Sequence, residues 1–124
     1  MRLRWHTMDE RQKTVDNLLL ELRRGTVVLS VLSQLSAPKY GYSLVQSLEE
    51  KGMPIEAGTL YPLLRRLERQ GLLQSEWETS GPKPRKYYVL SDEGREIRKK
   101  LCQQWRQMVI SMETMLRDGG ENSG

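Results

Sequence analysis

Apolar residues recur at helical spacing in five stretches of the chain, and two short β-prone runs lie between the fourth and the fifth. From Asp9 to Arg24 the apolar positions are Val15, Leu18, Leu19 and Leu22, one face of a helix, with Gly25 interrupting it. A second stripe follows at Val28, Val31, Leu32 and Leu35. The neighbouring Val27 and Leu29 widen its apolar arc and predict deeper burial. Ser36-Ala37-Pro38 should end it, because the residue before a proline avoids helical angles. A third helix is expected over Gly41 to Lys51, with Leu44, Val45 and Leu48 inward and Gly52 as its stop. The fourth runs from about Glu56 to Gln70 on Leu60, Leu63, Leu64 and Leu67. Pro62 falls in or near its first turn and Gly71 closes it.

The β-prone runs are Leu72 to Thr79 and Arg85 to Leu90, the second carrying Tyr87, Tyr88 and Val89. Between them Ser80-Gly81-Pro82-Lys83-Pro84 reads as a hairpin tip. Ser91 is placed to cap a last helix that starts with Asp92 and Glu93 and continues to about Arg117. The fold class is therefore α+β and mostly α. A helix followed at once by a tight basic hairpin is the outline of a winged helix-turn-helix. The expected organisation is a winged-helix domain with an N-terminal helix over 1–90, a C-terminal helix over 91–117 and a disordered tail over 118–124.

With its leucines inward, the fourth helix presents Gly58, Pro62, Arg65 and Arg69 outward, flanked by Tyr61 and Arg66. A helix entering a major groove needs small or hydrogen-bonding residues at its tip and cations near the phosphates. Arginine can also bond a guanine edge through two hydrogen bonds. The plain alternative is an amphipathic helix with solvated arginines. Lys83, Arg85 and Lys86 on a proline-stiffened hairpin favour the polyanion reading over a solvated loop.

Charge sharpens the picture. The net charge is +4, and from Gly81 to Lys100 seven basic residues face three acidic ones, against six and seven from Asp9 to Glu56. A localised basic excess suits nucleic acid, although a solvated surface would look the same. Only 37% of residues are hydrophobic and 29% are charged, which predicts a thin core and some reliance on self-association. There is no Phe, so any aromatic core must come from the three Trp and five Tyr.

The last helix carries Ile97, Leu101, Trp105, Met108, Met112 and Met115 at steps of four, four, three, four and three, close to a heptad seam. Pairing with a second copy would bury it. Folding back on its own core is the alternative. A Trp and Met surface can also adapt to apolar ligands.

Enzyme chemistry finds little footing. His6 is the only His, and Cys102 has no His near it. A single Cys excludes an internal disulfide and a cysteine-based zinc site. No catalytic triad, phosphate-binding glycine loop or zinc-protease motif is present, so neither cofactor nor metal is expected. MRLRWHTMDERQ lacks an apolar secretory region, and no window is apolar enough to span a membrane; a cytoplasmic protein is expected.

Four ordered segments resemble the PadR family of transcriptional regulators: LRRGTVVLSVL from Leu22, YGYSLVQSLEEKG from Tyr40, GTLYPLLRRLERQGLL from Gly58, and GPKPRKYYVLSDEG from Gly81. Together they cover about residues 22 to 94. The resemblance implies a dimeric winged-helix repressor whose C-terminal helix makes the dimer, helped in many members by an N-terminal helix. Leu18 and Leu22 would then join Ile97, Leu101, Trp105, Met108, Met112 and Met115 in the interface. Carried over by position, Tyr40 and Tyr42 would set hydroxyls near the DNA backbone. Thr59, Tyr61, Pro62 and Arg65 would lie on the recognition helix, and Lys83, Arg85 and Lys86 on the wing. Trp105 matches a tryptophan that stacks on flat aromatic ligands in the multidrug-binding branch, with Met108 beside it. With one helix after the wing, the chain resembles the compact branch. Glu56 departs from the family, where a capping serine is common, and MRLRWHTMDERQ has no counterpart.

The expected partners are double-stranded DNA with a pseudo-palindromic operator, a second copy of the chain and a small aromatic effector, planar and phenolic or cationic, with no membrane. A winged helix that binds a partner protein instead of DNA is the rival reading.

Overall fold

Cap chemistry sets where the helices begin and end in a computed structural model that describes residues 7–120. The elements are α1 (Met8–Arg24), α2 (Val27–Ser33), β1 (Lys39–Tyr40), α3 (Gly41–Glu50), α4 (Ala57–Arg69), β2 (Leu73–Glu78), β3 (Arg85–Leu90) and α5 (Asp92–Asp118). Thr7 caps α1 by accepting from the Glu10 amide at 3.0 Å. Ser91 caps α5 by accepting from the Gly94 amide at 2.9 Å, with Asp92 and Glu93 in the first turn. Both α3 and α4 stop on a glycine with positive φ, Gly52 at 84° and Gly71 at 83°. Each stop closes with a six-residue return bond, Met53 N–H to the Leu48 carbonyl at 2.9 Å and Leu72 N–H to the Leu67 carbonyl at 3.0 Å.

Three strands form one antiparallel sheet in the order β1-β3-β2. In the hairpin Leu73 pairs with Leu90, Ser75 with Tyr88 and Trp77 with Lys86. These six side chains share the face turned toward α4, and burial fades along it from Leu73 and Leu90 to exposed Trp77. The two-residue strand β1 is a departure from the sequence reading, which has only the hairpin. It is too short to carry a periodic pattern and exists because Tyr40 and Lys39 meet Tyr87 and Tyr88 of β3.

The core is leucine rather than aromatic. Leu32, Leu35, Leu44, Leu60 and Leu64 are fully buried with Val31, and Tyr88 is the one aromatic residue in the cluster. Burial of each such leucine contributes about 1.5–3 kcal/mol. The aromatic share of the core comes from tyrosine, while Trp77 and Trp105 are exposed. Helix α2 ends at Ser33, two residues short of Leu35, yet Leu35 stays in the core and its carbonyl accepts from the Leu90 amide at 2.9 Å. Glu56 is the extended cap residue of α4, and Pro62 lies inside the helix, just past its first turn.

Helix α5 splits in two. Its first turns lie against α2 and β3. Arg98 Nη1 donates to Ser36 Oγ at 2.6 Å, and Arg95 reaches the Ser36 carbonyl at 3.4 Å. Leu101 packs on the core, Ile97 is half-buried, and from Gln103 onward every described residue of the helix is exposed. No residue of α1 is buried. The expected tail over 118–124 begins as the last residue of α5 and a turn; residues 121–124 lie outside the described residues, as does the first half, 1–6, of the unmatched N-terminal segment.

Candidate nucleic-acid interface

Helix α4 presents the face its leucine spacing dictates. Leu60, Leu64 and Leu67 are buried and Leu63 is half-buried, while Gly58, Thr59, Pro62, Arg65, Arg66 and Arg69 lie toward solvent, Arg66 and Arg69 at the end of the helix. Tyr61 is half-buried because its ring lies on α3 at Gly41. A Cβ on Gly41 would overlap that ring, with the Tyr61 hydroxyl 2.8 Å away. Glycine at this one position lets α4 close onto α3.

A groove of about 460 Å³ opens between α4 and the hairpin. Tyr61 and Arg65 form one wall, Trp77 and Lys86 the other, and Tyr88 is the floor residue continuous with the core. Tyr40, Tyr42 and Arg85 close one end. The lining holds three cations, Arg65, Arg85 and Lys86, and no carboxylate. A polyanion entering it meets attraction from Arg65 and Arg85, while Lys86 is paired with Glu68 of α4.

The wing cations are not equivalent. Lys83 is exposed at the tip. Arg85 stacks its guanidinium 4.2 Å above the Tyr40 ring and donates to the Tyr42 hydroxyl at 3.3 Å. Tyr40 in turn stacks on Tyr42 with centroids 6.0 Å apart and meets Tyr87 edge-on at 6.0 Å. The wing base is thereby tied to the start of α3. Lys86 turns inward, pairs with Glu68 of α4 at 3.6 Å and lies 5.4 Å from the Tyr88 ring centroid. Glu68 also accepts from Ser75 Oγ at 2.5 Å. Half-exposed and screened by solvent, the ion pair contributes about 1 kcal/mol or less; it fixes direction more than stability. Sequence reasoning does not single out Glu68, whose role depends on a contact between elements.

Two ionisable groups on the outer face of the hairpin are shifted. Ser80 donates to Glu78 from its hydroxyl at 2.6 Å and from its amide at 3.0 Å, and these bonds hold the carboxyl below its usual range. The Tyr87 hydroxyl donates to Glu76 at 3.0 Å, which raises the phenol above its ordinary value. Both residues brace the hairpin rather than line the groove.

The basic excess after the wing divides in the same way. Arg95 and Arg98 hold Ser36, and Lys99 pairs with Glu96 at 3.7 Å. The groove's cations come from α4 and the hairpin instead. The remaining sequence candidates lie away from it. Leu18 of α1 is 56% exposed and Leu22 is 72% exposed. Trp105, Met108, Met112 and Met115 lie along the exposed part of α5. Cys102 is a half-buried free thiol. Among the described residues no cluster of His, Cys, Asp and Glu could hold a metal ion, and no helix is long and apolar enough to cross a membrane.

Comparison with known proteins gives a consistent picture. The model of the Transcriptional regulator PadR-like family matches residues 28–100. The Transcriptional regulator Rv3488 of Mycobacterium tuberculosis is 37% identical over 76 residues, 60% of this chain and 71% of that protein. A crystal structure of a PadR family transcriptional regulator from Eggerthella lenta DSM 2243 aligns with a TM-score of 0.81 at 53% identity, over 86% of this chain and 95% of that one. The Bacillus subtilis PadR, solved in complex with operator DNA, shares the fold at a TM-score of 0.58 and 21% identity, over 62% of this chain and 45% of that one.

Proposed function

The chain belongs to the PadR-like family of transcriptional regulators, and from that premise we propose that it acts as a homodimer that binds double-stranded operator DNA and represses transcription until a small aromatic effector releases it. Its family consists of regulators rather than enzymes, which sets catalysis aside. The observation that carries the DNA reading is the groove between α4 and the hairpin, lined by three cations and no carboxylate beside an exposed, cationic helix face.

In this reading α4 enters the major groove with Thr59 and Pro62 near its tip and Arg65 further along. Thr59 can donate to a base edge or a phosphate, and Arg65 can bond a guanine or the backbone. Lys83 meets phosphates at the wing tip. Arg85 meets them from the wing base, its guanidinium already oriented by Tyr40 and Tyr42. Tyr61 positions α4 on α3, and Lys86 positions the hairpin on α4 through Glu68.

The dimer reading is supported by two unpartnered apolar surfaces, Leu18 and Leu22 on α1 and Trp105, Met108, Met112 and Met115 on α5. Ile97 and Leu101 begin the same seam but rest partly on their own domain. Between two copies, Trp105 and Met108 offer a flat, polarisable surface to an aromatic effector. An effector that lowers DNA affinity must itself bind DNA-loaded protein more weakly by the same factor. Such a regulator works in the cytoplasm.

Selection from a pool of random duplexes tests the proposal. The expected product is a pseudo-palindrome whose half-sites lie one helical turn, or a multiple of it, apart. No enrichment at low salt would overturn it and leave the protein-interaction module as the better reading.

A further inference from the structure

Trp77 is the largest exposed apolar side chain of the hairpin, and the phosphate-binding reading gives it no part. It stands 61% exposed at the rim of the groove. The cross-strand register explains why it is there. Trp77 faces Lys86 on the same sheet face as Tyr88 and Leu90, but one pair beyond the point where the core ends. Its ring therefore continues the apolar floor of Tyr88 out to the rim, opposite Arg65 of α4.

We propose that Trp77 binds the sugar of the DNA strand whose phosphates Arg65 and Arg85 hold, packing its ring against a deoxyribose. The proposal rests on the DNA reading given above and adds a non-ionic interaction to it. Its occupant follows from the lining. A groove with three cations and no carboxylate selects an anion, and an indole at the rim needs an apolar surface beside that anion. A nucleic-acid strand offers both in alternation, a phosphate and then the carbon face of a sugar. The groove opens to solvent on its outer side, so a strand can lie across its mouth between Arg65 and Trp77. Lys86 does not compete for the phosphate, because Glu68 holds it at 3.6 Å, with its ammonium 5.9 Å from the Trp77 ring centroid. Trp77 thus adds affinity that carries no sequence information and no counterion release.

The test measures affinity against salt concentration on a duplex that the wild type selects from the random pool. Trp77→Ala should bind about tenfold more weakly, as expected when part of an indole is no longer buried. The slope of log K against log salt should stay at the wild-type value, since every phosphate keeps its cation. Trp77→Phe keeps a ring and should recover most of the affinity. Trp77→Phe also isolates the optical signal: the part of the wild type's emission change on adding duplex that belongs to Trp77 should be lost, leaving only what Trp5 and Trp105 contribute. Wild-type affinity in Trp77→Ala would overturn the proposal, as would a lowered salt slope or an emission change of full wild-type size in Trp77→Phe. Should Trp77→Ala melt early, the emission comparison with folded Trp77→Phe decides alone. Failure of the underlying reading looks different: the wild type itself would select no duplex.

Discussion

Gly94 fixes how the long helix α5 leaves the winged domain, and its replacement by alanine has a calculable consequence. It lies buried in the first turn of α5, where a Cβ would run into the Leu72 carbonyl and come within 3.1 Å of Leu90 Cδ2. The nearest obstacle is backbone, which cannot swing aside like the end of a side chain. Helix α5 must therefore tilt or rise. That movement pulls on the Ser91 amide bond to the Leu72 carbonyl at 3.0 Å and on the Ser91 Oγ bond to the Gly71 carbonyl at 2.6 Å. Overpacking of this kind costs about 1–3 kcal/mol, and each loosened hydrogen bond about 1 kcal/mol. Removing a helical glycine's extra chain freedom returns roughly 0.5–1 kcal/mol. The net for Gly94→Ala is a destabilisation of roughly 3 kcal/mol. For a domain of this size that lowers Tm by roughly 12 °C. The control is Gly58→Ala in the first turn of α4, where a Cβ meets nothing within 4 Å. It should hold Tm or raise it by a few degrees. Thermal melts at one protomer concentration compare the two, because self-association shifts apparent stability. A Gly94→Ala protein that melts at or above the wild type would refute the packing argument.

Three further outcomes follow from the same geometry. Lys83→Ala should lower the salt slope of DNA binding by about 0.9 for each phosphate that the lysine neutralises, while Lys86→Ala should leave it near the wild-type value because Glu68 holds that ammonium; polarisation titrations at several salt concentrations separate them. Met112→Glu places a charge in the exposed α5 seam and should convert a sedimenting dimer into monomer, whereas an unchanged dimer would remove Met112 from the interface. Ser80→Ala should raise the Glu78 carboxyl midpoint toward its ordinary value of 4.5, read by carboxyl NMR titration. The sign follows from the depressed folded value: the Ser80 bonds add order above the usual carboxylate range and release it as pH falls through the lowered midpoint, so the variant gives up its wing-tip order at higher pH. A Glu78 midpoint that does not move would discard this role for Ser80.

Much of this architecture can be read from local pattern alone. The spacing of Leu60, Leu64 and Leu67 decides which face of α4 is outward, and the Ser91, Asp92, Glu93 sequence decides where α5 starts. These depend on neighbours three or four residues away, so the sequence carries them directly. The roles of Lys86 and Arg85 do not. A run of three cations reads as one patch, yet Lys86 turns to Glu68 and Arg85 to Tyr40 and Tyr42, through pairings that exist only once the sheet has formed. The strand β1 escapes for a similar reason: two residues carry no period, and its partner lies far along the chain. The position of Trp77 is the least legible, because only the cross-strand register shows that the core on its face ends at Tyr88, one pair earlier.

The central claim is that α4, the wing tip and the groove between α4 and the hairpin bind DNA through their free cations. Three groups per protomer, Arg65, Lys83 and Arg85, are placed to meet phosphates, six in a dimer. Measured on the selected duplex, log K should fall linearly with log salt at a slope of about −5. Binding that ignores salt, or no binding at low salt, would contradict the account.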